Sequence, residues 1–201
     1  MKDGIVIIGA GGHGRVCAEI AELCGYHRIL FLDDAADKAE RVYGTTDRLP
    51  ELIDEYDVFV AIGNNNVRKR ITESCCMQGC TLATLIHPKS IVSKGAEISS
   101  GTVVMAGAVI NTGAEIGRGV IINTGSSVDH DCHIGDYSHI AVGAHLAGAV
   151  SVGEGSFVGA GAVIINNMAV CSDSTIGAGA VVVKNIIEPG VYIGVPARAK
   201  I

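Results

Sequence analysis

An aliphatic residue occupies every sixth position in the C-terminal half of the chain, without a slip, from Val92 to Val182. A period of six fits neither an α-helix, which repeats about every 3.6 residues, nor an isolated strand, which alternates. It is typical of a coiled repeat in which each unit covers the apolar side of the next. The series is Val92, Ile98, Val104, Ile110, Ile116, Ile122, Val128, Ile134, Ile140, Leu146, Val152, Val158, Ile164, Val170, Ile176 and Val182.

Two companion series predict the shape of this repeat. Four residues after each aliphatic position the side chain is nearly always small, as at Ala108 and Ser126, which predicts a narrow interior. One residue earlier, fourteen of the sixteen units carry Gly, Asn or Asp. Because these residues tolerate a left-handed backbone, they predict a corner every six residues. Three such units close a triangle, so the sequence predicts a little over five coils of a parallel β-solenoid.

The N-terminal half alternates apolar strands with helices. The pattern predicts strands at 5–8, 29–32, 58–62 and 82–86, and helices at 15–24, 50–55 and 67–78. It therefore predicts an α/β domain over residues 1–86, with a β-helix domain over 87–201. Four strands make one mononucleotide-binding half rather than the two halves that clasp a dinucleotide.

A glycine-rich turn follows the first strand and points to a nucleotide diphosphate. Backbone N–H groups in this turn and the helix N-terminus after it suit phosphate oxygens. The second strand ends in two acids that can accept hydrogen bonds from ribose or base, and the third ends in a polar turn beside the same crevice. These candidate substrate-binding residues are Gly11, Gly12, Gly14, Asp33, Asp34, Gly63, Asn64 and Asn65.

Charge and composition exclude several classes of protein. The formal charge is −6, and the largest basic run, Arg68-Lys69-Arg70, is interpreted as a solvated helix face, so no nucleic-acid partner is expected. No apolar stretch is long enough to cross a bilayer, and nothing at the start has signal-peptide architecture, so we expect a cytoplasmic protein. Seven irregularly spaced cysteines fit reduced thiols. Cys75, Cys76 and Cys80 are interpreted as small buried helix residues, and no metal is expected.

The repeat resembles the left-handed β-helix of the hexapeptide-repeat acyltransferases. The closing segment from Asn185 to Arg198 is also similar to that family's C-terminal signature. This resemblance implies a left-handed coil and acetyl-CoA as co-substrate. It places Gly194, Val195 and Pro196 near the adenine end of acetyl-CoA.

The two halves together resemble a narrower family, the sugar acetyltransferases related to sialic acid O-acetyltransferase. The motifs are Gly-x-Gly-Gly-His-Gly, Phe-Leu-Asp-Asp, Ala-Ile-Gly-Asn-Asn and Asp-His-Asp-Cys, in that order along the whole chain. They are especially similar to bacterial UDP-4-amino-sugar N-acetyltransferases of bacillosamine-type pathways. The implied substrate is a UDP-amino-sugar, and the resemblance places His13 near its diphosphate or sugar.

Acetyl transfer to an amine needs a base and a donor for the oxyanion. His130 lies at a corner beside Asp131, which can orient its ring and raise its basicity. The resemblance makes His130 the general base, and it places His139 near the thioester with the Gly148 N–H as oxyanion donor.

His130 and His139 occupy different parts of the triangle, so we expect a homotrimer with active sites between subunits. Asn123 is a candidate sugar contact, although exposure without a role is as plausible from the pattern. His133 and His145 point outward and are interpreted as surface residues. Cys132 occupies an inward position, which favours direct attack in a ternary complex over an acyl-cysteine intermediate.

Three alternatives stay open at this point. A base-activated hydroxyl would use the same geometry, which allows O-acetylation of a sialic acid or related sugar. A trimer could bind nucleotide sugars without catalysis. A third alternative is a zinc lyase resembling the gamma-class carbonic anhydrases, although no two histidines have the ligand spacing expected of that family.

Overall fold

A computed structural model describes residues 2–35 and 42–200, in which an α/β module precedes a parallel β-helix. The module contains β1 (Gly4–Ile8), α1 (Gly12–Leu23), β2 (Arg28–Leu32), β3 (Val42–Gly44), β4 (Tyr56–Val60) and α2 (Asn65–Met77). Its four strands are parallel in the order β3-β2-β1-β4. The central strand β1 is buried along its whole length, as is usual for parallel sheets with both faces covered.

Two predicted elements of the module are wrong in detail. A 3₁₀-helix over Thr46–Glu51, with Pro50 inside it, replaces the helix predicted at 50–55. The fourth strand of the sheet is β3, not residues 82–86. Leu82 forms only an isolated bridge with Val58, and Leu85–Ile86 pairs with the β-helix instead, because its hydrogen-bonding partners are Val103–Val104.

The β-helix has three flat faces built from two- or three-residue strands that pair in parallel with the strand one coil away. Face 1 contains Leu85–Ile86, Val103–Val104, Ile121–Ile122, His139–Ile140, Phe157–Val158, Thr175–Ile176 and Val191–Ile193, to which Arg198–Ala199 adds antiparallel. Face 2 contains Ile91–Val92, Val109–Ile110, Ser127–Val128, His145–Leu146, Val163–Ile164 and Val181–Val182. Face 3 contains Glu97–Ile98, Glu115–Ile116, His133–Ile134, Ser151–Val152 and Ala169–Val170.

Fourteen of the sixteen predicted corners are confirmed, and the first and last, Gly95 and Asn185, do not have a positive φ. Successive corner positions from Gly101 to Gly179 all have a positive φ. Most are glycine, but Asp131, Tyr137 and Ala149 each adopt φ 58°. The fold is thus a left-handed parallel β-helix, with one more coil-forming segment at each end than the strict aliphatic series contains.

The module is fixed to the β-helix by a shared apolar core. Val103, Met105 and Ile121 turn outward from face 1 and pack in one cluster with residues of β1 and β4, including Ile7 and Phe59. The interior of the β-helix forms a separate cluster of aliphatic residues. This packing sets the crevice of the module against the middle coils of face 1, where His139 lies.

Within the described residues, none of the helices is both long enough and apolar enough to span a bilayer.

Candidate active site

The glycine-rich turn is held by an acid from the neighbouring strand. Gly9 has φ 106°, and the carboxylate of Asp33 accepts a hydrogen bond from the Ala10 N–H at 2.8 Å. Helix α1 starts at Gly12, earlier than predicted, so His13 and Gly14 belong to its first turn. Gly14 packs so closely on the Gly9 carbonyl that a Cβ would overlap it. Gly11 and Gly12 are exposed at the helix N-terminus.

Asp34 binds a different segment of the module. Its carboxylate accepts hydrogen bonds from the backbone N–H and hydroxyl of Thr46, both at 2.8 Å. Together with Leu49 and Arg70 these residues line a cavity of about 320 Å³ in the module. The two acids predicted for one nucleotide therefore have distinct surroundings, since Asp33 holds the turn and Asp34 borders a cavity.

His13 and His139 are brought close together, with Arg68 beside both. Burial is the main cause that lowers the pKa of His13 to about 4, and the Arg68 charge adds to it. The pKa of His139 is also lowered to about 4, first by burial and then by the charges of Arg68 and His13. Both imidazoles are therefore neutral at neutral pH.

The tautomer of His139 follows from its contact with Asn123. The Thr124 N–H donates to Asn123 Oδ1 at 2.8 Å, which turns the amide nitrogen of Asn123 toward His139 Nε2 at 3.0 Å. An amide nitrogen only donates, so Nε2 accepts and the ring proton resides on Nδ1. Among the described residues, His139 Nδ1 has no hydrogen-bond partner. The backbone of Gly63 acts against burial and the two charges, because it raises the pKa of the ring. Asn123 thus lies against His139 rather than standing free.

The polar turn after β4 connects the module to the β-helix. Asn64 caps α2 by accepting from the Val67 N–H at 3.0 Å. Asn65 reaches across to donate to the carbonyls of Gly155 and Ser156 at 2.8 and 3.1 Å. A groove of about 400 Å³ opens beside this turn, and its other wall is face 1; its lining includes Gly63, Asn64, Asn65, Gly155, Phe157 and Thr175.

Face 1 leads from His139 to the C-terminal segment. The His139 ring and the Phe157 ring on the next coil are perpendicular, with their centroids 5.1 Å apart. The strands of Thr175 and Val191–Ile193 follow on the same face. Gly194, Val195 and Pro196 come directly after them and are exposed.

His130 lies at the corner between faces 2 and 3. Its Nδ1 is 2.8 Å from Asp131 Oδ2, and this hydrogen bond is the main cause that raises the pKa of His130. Its backbone N–H donates to Asp129 Oδ1 at 2.8 Å. Gly148 lies one coil away under the ring, and any Cβ there would overlap the imidazole. The predicted base, its acid and the predicted oxyanion donor thus form one compact group.

Within one chain the structure brings His13, Asn123 and His139 together near the polar turn. It does not bring His130 to them, because the corner between faces 2 and 3 is away from face 1. The interpretation of His133 and His145 as surface residues is confirmed: both are exposed, and their Nδ1 atoms contact Glu115 at 3.0 Å and Ser127 at 2.8 Å.

The cysteines differ in burial. Cys132 lies inward as predicted, where its thiol donates to the Ala147 carbonyl and burial raises its pKa. Cys75, Cys76 and Cys80 were expected to be buried helix residues, which is wrong in part. Cys75 is buried in α2, but Cys76 is exposed and Cys80 lies beyond the end of the helix. Across residues 2–35 and 42–200, no three His, Cys, Asp or Glu side chains are arranged to hold a metal ion.

Arg68 and Phe157 are the residues of this site that sequence reasoning missed. Arg68 was assigned to a solvated helix face, yet its side chain is only 1% exposed. Arg68 is buried because α2 packs against the β-helix on the side that carries it, while Arg70 stays exposed. The outward position of Phe157 beside the outward His139 one coil earlier was a usable signal, because positions eighteen residues apart are stacked.

Comparison with known proteins gives two family matches and two similar solved structures. Residues 4–75 match the PglD N-terminal domain, and residues 131–166 match the bacterial transferase hexapeptide with six repeats. The chain is 43% identical to the acetyltransferase domain of PglB from Neisseria gonorrhoeae FA1090 in complex with acetyl coenzyme A, over 100% of both chains, with a TM-score of 0.96. It is 39% identical to PerB from Caulobacter crescentus in complex with CoA and GDP-perosamine, over 98% of this chain and 97% of that one, with a TM-score of 0.93.

Similarity to curated proteins covers a shorter stretch. The chain is 40% identical to UDP-N-acetylbacillosamine N-acetyltransferase of Bacillus subtilis (strain 168) over 112 residues, 51% of this chain and 51% of that protein. The chain spans about half the length of the curated relatives it matches.

Proposed function

This chain belongs to the acetyltransferase family that joins a PglD N-terminal domain to bacterial transferase hexapeptide repeats, and on that premise we propose that it acetylates the 4-amino group of a UDP-linked amino-deoxy sugar. The acetyl donor is acetyl-CoA, and the two substrates react directly in a ternary complex. The relatives with bound CoA or acetyl-CoA support this choice of donor. We expect the enzyme to act in the cytoplasm.

The observation that carries the proposal is the order of residues along face 1. It begins at His139, follows Phe157 and Thr175, which line the groove beside Asn65, and ends at the exposed Gly194–Pro196 segment. Three strand spacings of about 4.8 Å separate the strand of His139 from Val191–Ile193, a span on the order of 14 Å. A narrow, extended thioester arm fits such a span, with its adenine end at Gly194, Val195 and Pro196 and its acetyl group near His139.

The nucleotide sugar is assigned to the module. Exposed N–H groups at Gly11 and Gly12 open helix α1 and suit the diphosphate. Asp34 borders a cavity that suits ribose or base, while Asp33 shapes the turn. The remaining contacts to the sugar come from His13, Gly14, Gly63, Asn64, Asn65 and Asn123.

The chemistry is assigned to the His130 corner. His130 removes a proton from the amine as the amine nitrogen attacks the thioester carbonyl, and Asp131 stabilises the imidazolium that forms. The oxyanion of the tetrahedral intermediate accepts from the Gly148 N–H, which donates to no other group among residues 2–35 and 42–200. Collapse breaks the carbon–sulfur bond, and the departing thiolate takes the proton from His130. Buried Cys132, with its raised pKa, is unsuited to carry the acetyl group.

We further propose a homotrimer with its active sites between subunits. The outward positions of face 2 include Ile91, which is 67% exposed, and the half-buried Val109, Val163 and Val181. These four aliphatic residues form the face 2 ladder, which Ser127 and His145 interrupt in the middle. Face 3 instead exposes Glu97 and Glu115, so face 2 is the side suited to contact another copy. Packing through face 2 would bring the adjacent His130 corner of one subunit toward face 1 of its neighbour.

The test is acetyl transfer measured by mass spectrometry. The purified protein is incubated with acetyl-CoA and a panel of UDP-4-amino sugars, GDP-4-amino sugars and sialic acids. We expect N-acetylation of a UDP-4-amino sugar, reduced by roughly 10²-fold or more in His130→Ala. Transfer only to a hydroxyl would establish the O-acetyltransferase alternative, and nucleotide-sugar binding without any transfer would establish the non-catalytic one. Full activity of His130→Ala would overturn the role of this residue.

A further inference from the structure

Arg68 is a buried cation without an anionic partner. Its side chain is only 1% exposed, and no carboxylate of the described residues lies within ion-pair distance of it. Burying an uncompensated charge is costly unless many hydrogen bonds offset it. Such an arrangement in the contact between two folding units calls for a role beyond packing.

On the β-helix side, Arg68 binds three backbone carbonyls. Its Nε donates to the Gly119 carbonyl at 2.7 Å, and its Nη2 donates to the carbonyls of Tyr137 and Ser138 at 2.7 and 3.3 Å. Tyr137 and Ser138 directly precede His139 in the chain. The guanidinium therefore grips two successive coils, at the point where the backbone enters the strand of His139.

On the module side, the same guanidinium binds the turn after β4. Its Nη1 donates to the carbonyls of Ile62 and Gly63 at 2.9 and 3.2 Å, and its Nη2 donates to Asn65 Oδ1 at 2.9 Å. The Asn65 amide in turn binds the β-helix through Gly155, which extends the connection by one more coil. One planar group thus joins the candidate substrate turn to the backbone that carries His139.

We propose that Arg68 is a positioning residue for acetyl transfer, whose guanidinium sets the distance between the Gly63–Asn65 turn and His139. The proposal rests on the proposed function, because the two segments are assigned to different substrates of one reaction. Bimolecular transfer depends steeply on this alignment, and a displacement of about 1 Å can reduce the rate on the order of 10²-fold. Arg68 touches neither substrate in this assignment and acts through the segments it holds.

The charge of Arg68 has a separate effect from its shape. From the elements packed around His139, the titratable groups that act on the ring are Arg68 on α2 and His13 on α1, and both lower its pKa. Burial lowers the pKa of Arg68 itself to about 10, so it is charged at neutral pH. Lysine would keep the charge but has no planar fork to bind both units. Lysine and glutamine variants therefore separate the two effects.

The experiment compares Arg68→Lys, Arg68→Gln and the control Lys69→Gln. Lys69 follows Arg68 in the same helix and also reaches the β-helix, through an exposed ion pair with Glu154 at 2.5 Å, which contributes little. Steady-state kinetics use acetyl-CoA and the best UDP-4-amino sugar from the panel. In Arg68→Lys we expect kcat to fall on the order of 10²-fold with both KM values within about 3-fold of wild type. In Lys69→Gln we expect kcat within about 2-fold of wild type.

The second readout is the titration of His139 followed by NMR of the folded variants. We expect its pKa to stay low in Arg68→Lys and to rise in Arg68→Gln, where the charge is gone. If Arg68→Gln does not fold, the kinetics and titration of Arg68→Lys decide alone. Wild-type kcat in folded Arg68→Lys would overturn the proposal, and so would an equal loss in Lys69→Gln. Failure of the proposed function is recognised separately, as wild-type protein that transfers no acetyl group. In that case, hydrogen exchange at residues 62–65 and 137–139 that is unchanged in Arg68→Lys would overturn the positioning role of Arg68.

Discussion

At the residue scale, the surroundings of His130 and His139 push their pKa values in opposite directions. The exposed His130 has its pKa raised, chiefly by the hydrogen bond to Asp131, whereas burial lowers that of His139 to about 4. A raised pKa suits a group that must accept a proton and then release it. A neutral ring suits a group that only binds. This contrast supports the proposed roles of His130 as the base and His139 as a binding residue.

The role of Asp131 predicts a shift in the pH profile. A base acts only when unprotonated, so kcat/KM rises with pH through the pKa of His130. Asp131→Asn removes the group that favours the imidazolium, which lowers the pKa of His130. We expect the acidic limb of the kcat/KM profile to move to lower pH, and the plateau to fall by roughly 10-fold or more because the ring loses its orientation. An acidic limb that stays in place or moves to higher pH would refute this assignment.

The low pKa values of His13 and His139 predict a loss of stability in acid. In the unfolded chain both rings take up a proton below about pH 6.5, whereas in the folded protein they do so only near pH 4. The unfolded state thus binds more protons between these values, so the free energy of unfolding falls as the pH drops from about 6.5 to about 4. Each ring contributes on the order of 3 kcal/mol to this fall.

Urea unfolding at several pH values measures this effect. We expect the double variant His13→Gln and His139→Gln to lose clearly less stability over that range than the wild type. His27→Gln is the matched control, because His27 is exposed. Parallel curves for the double variant and the wild type would contradict the prediction.

At the scale of elements, the buried aliphatic series inside the β-helix stabilises it. Ile164 is fully buried in the interior cluster, whereas Ile187 is 82% exposed. We expect Ile164→Ala to lower the free energy of unfolding by about 2–5 kcal/mol, since the coils cannot collapse into the cavity. Ile187→Ala should change it by less than about 1 kcal/mol. Equal effects of the two substitutions in denaturant unfolding would contradict the assignment of the interior.

The sequence predicted the β-helix well because every unit repeats one local rule. Each six-residue unit contains its own inward aliphatic residue and its own corner residue that tolerates a left-handed backbone. The segment 82–86 was assigned to the wrong sheet because an apolar run looks the same in either sheet, and only its long-range partners decide. Arg68 was missed for the same reason: which side of α2 is buried depends on docking against the β-helix. Local pattern thus predicted the elements and the candidate residues, but not the contact between the units.

At the scale of the whole molecule, the proposed roles of His130 and His139 require more than one copy of the chain. His130 lies between faces 2 and 3, while His139 lies on face 1 next to the module. In the proposed trimer, a complete site takes His130 from one subunit and His139 from its neighbour. The face 2 ladder is the surface that would hold the two subunits together.

This arrangement predicts that two inactive variants restore activity when combined. His130→Ala and His139→Ala are each expected to be nearly inactive alone. In trimers assembled at random from equal amounts of both, about a quarter of the interfaces pair an intact His130 with an intact His139. Co-expression with different affinity tags and purification through both tags yields only mixed trimers, in which one interface of three is intact, and we expect about a third of the wild-type kcat. If each site lay within one subunit, mixing would restore nothing.

Val163→Glu on the face 2 ladder is expected to yield monomers by analytical ultracentrifugation and to abolish the restored activity, because it places a charge where two apolar surfaces meet.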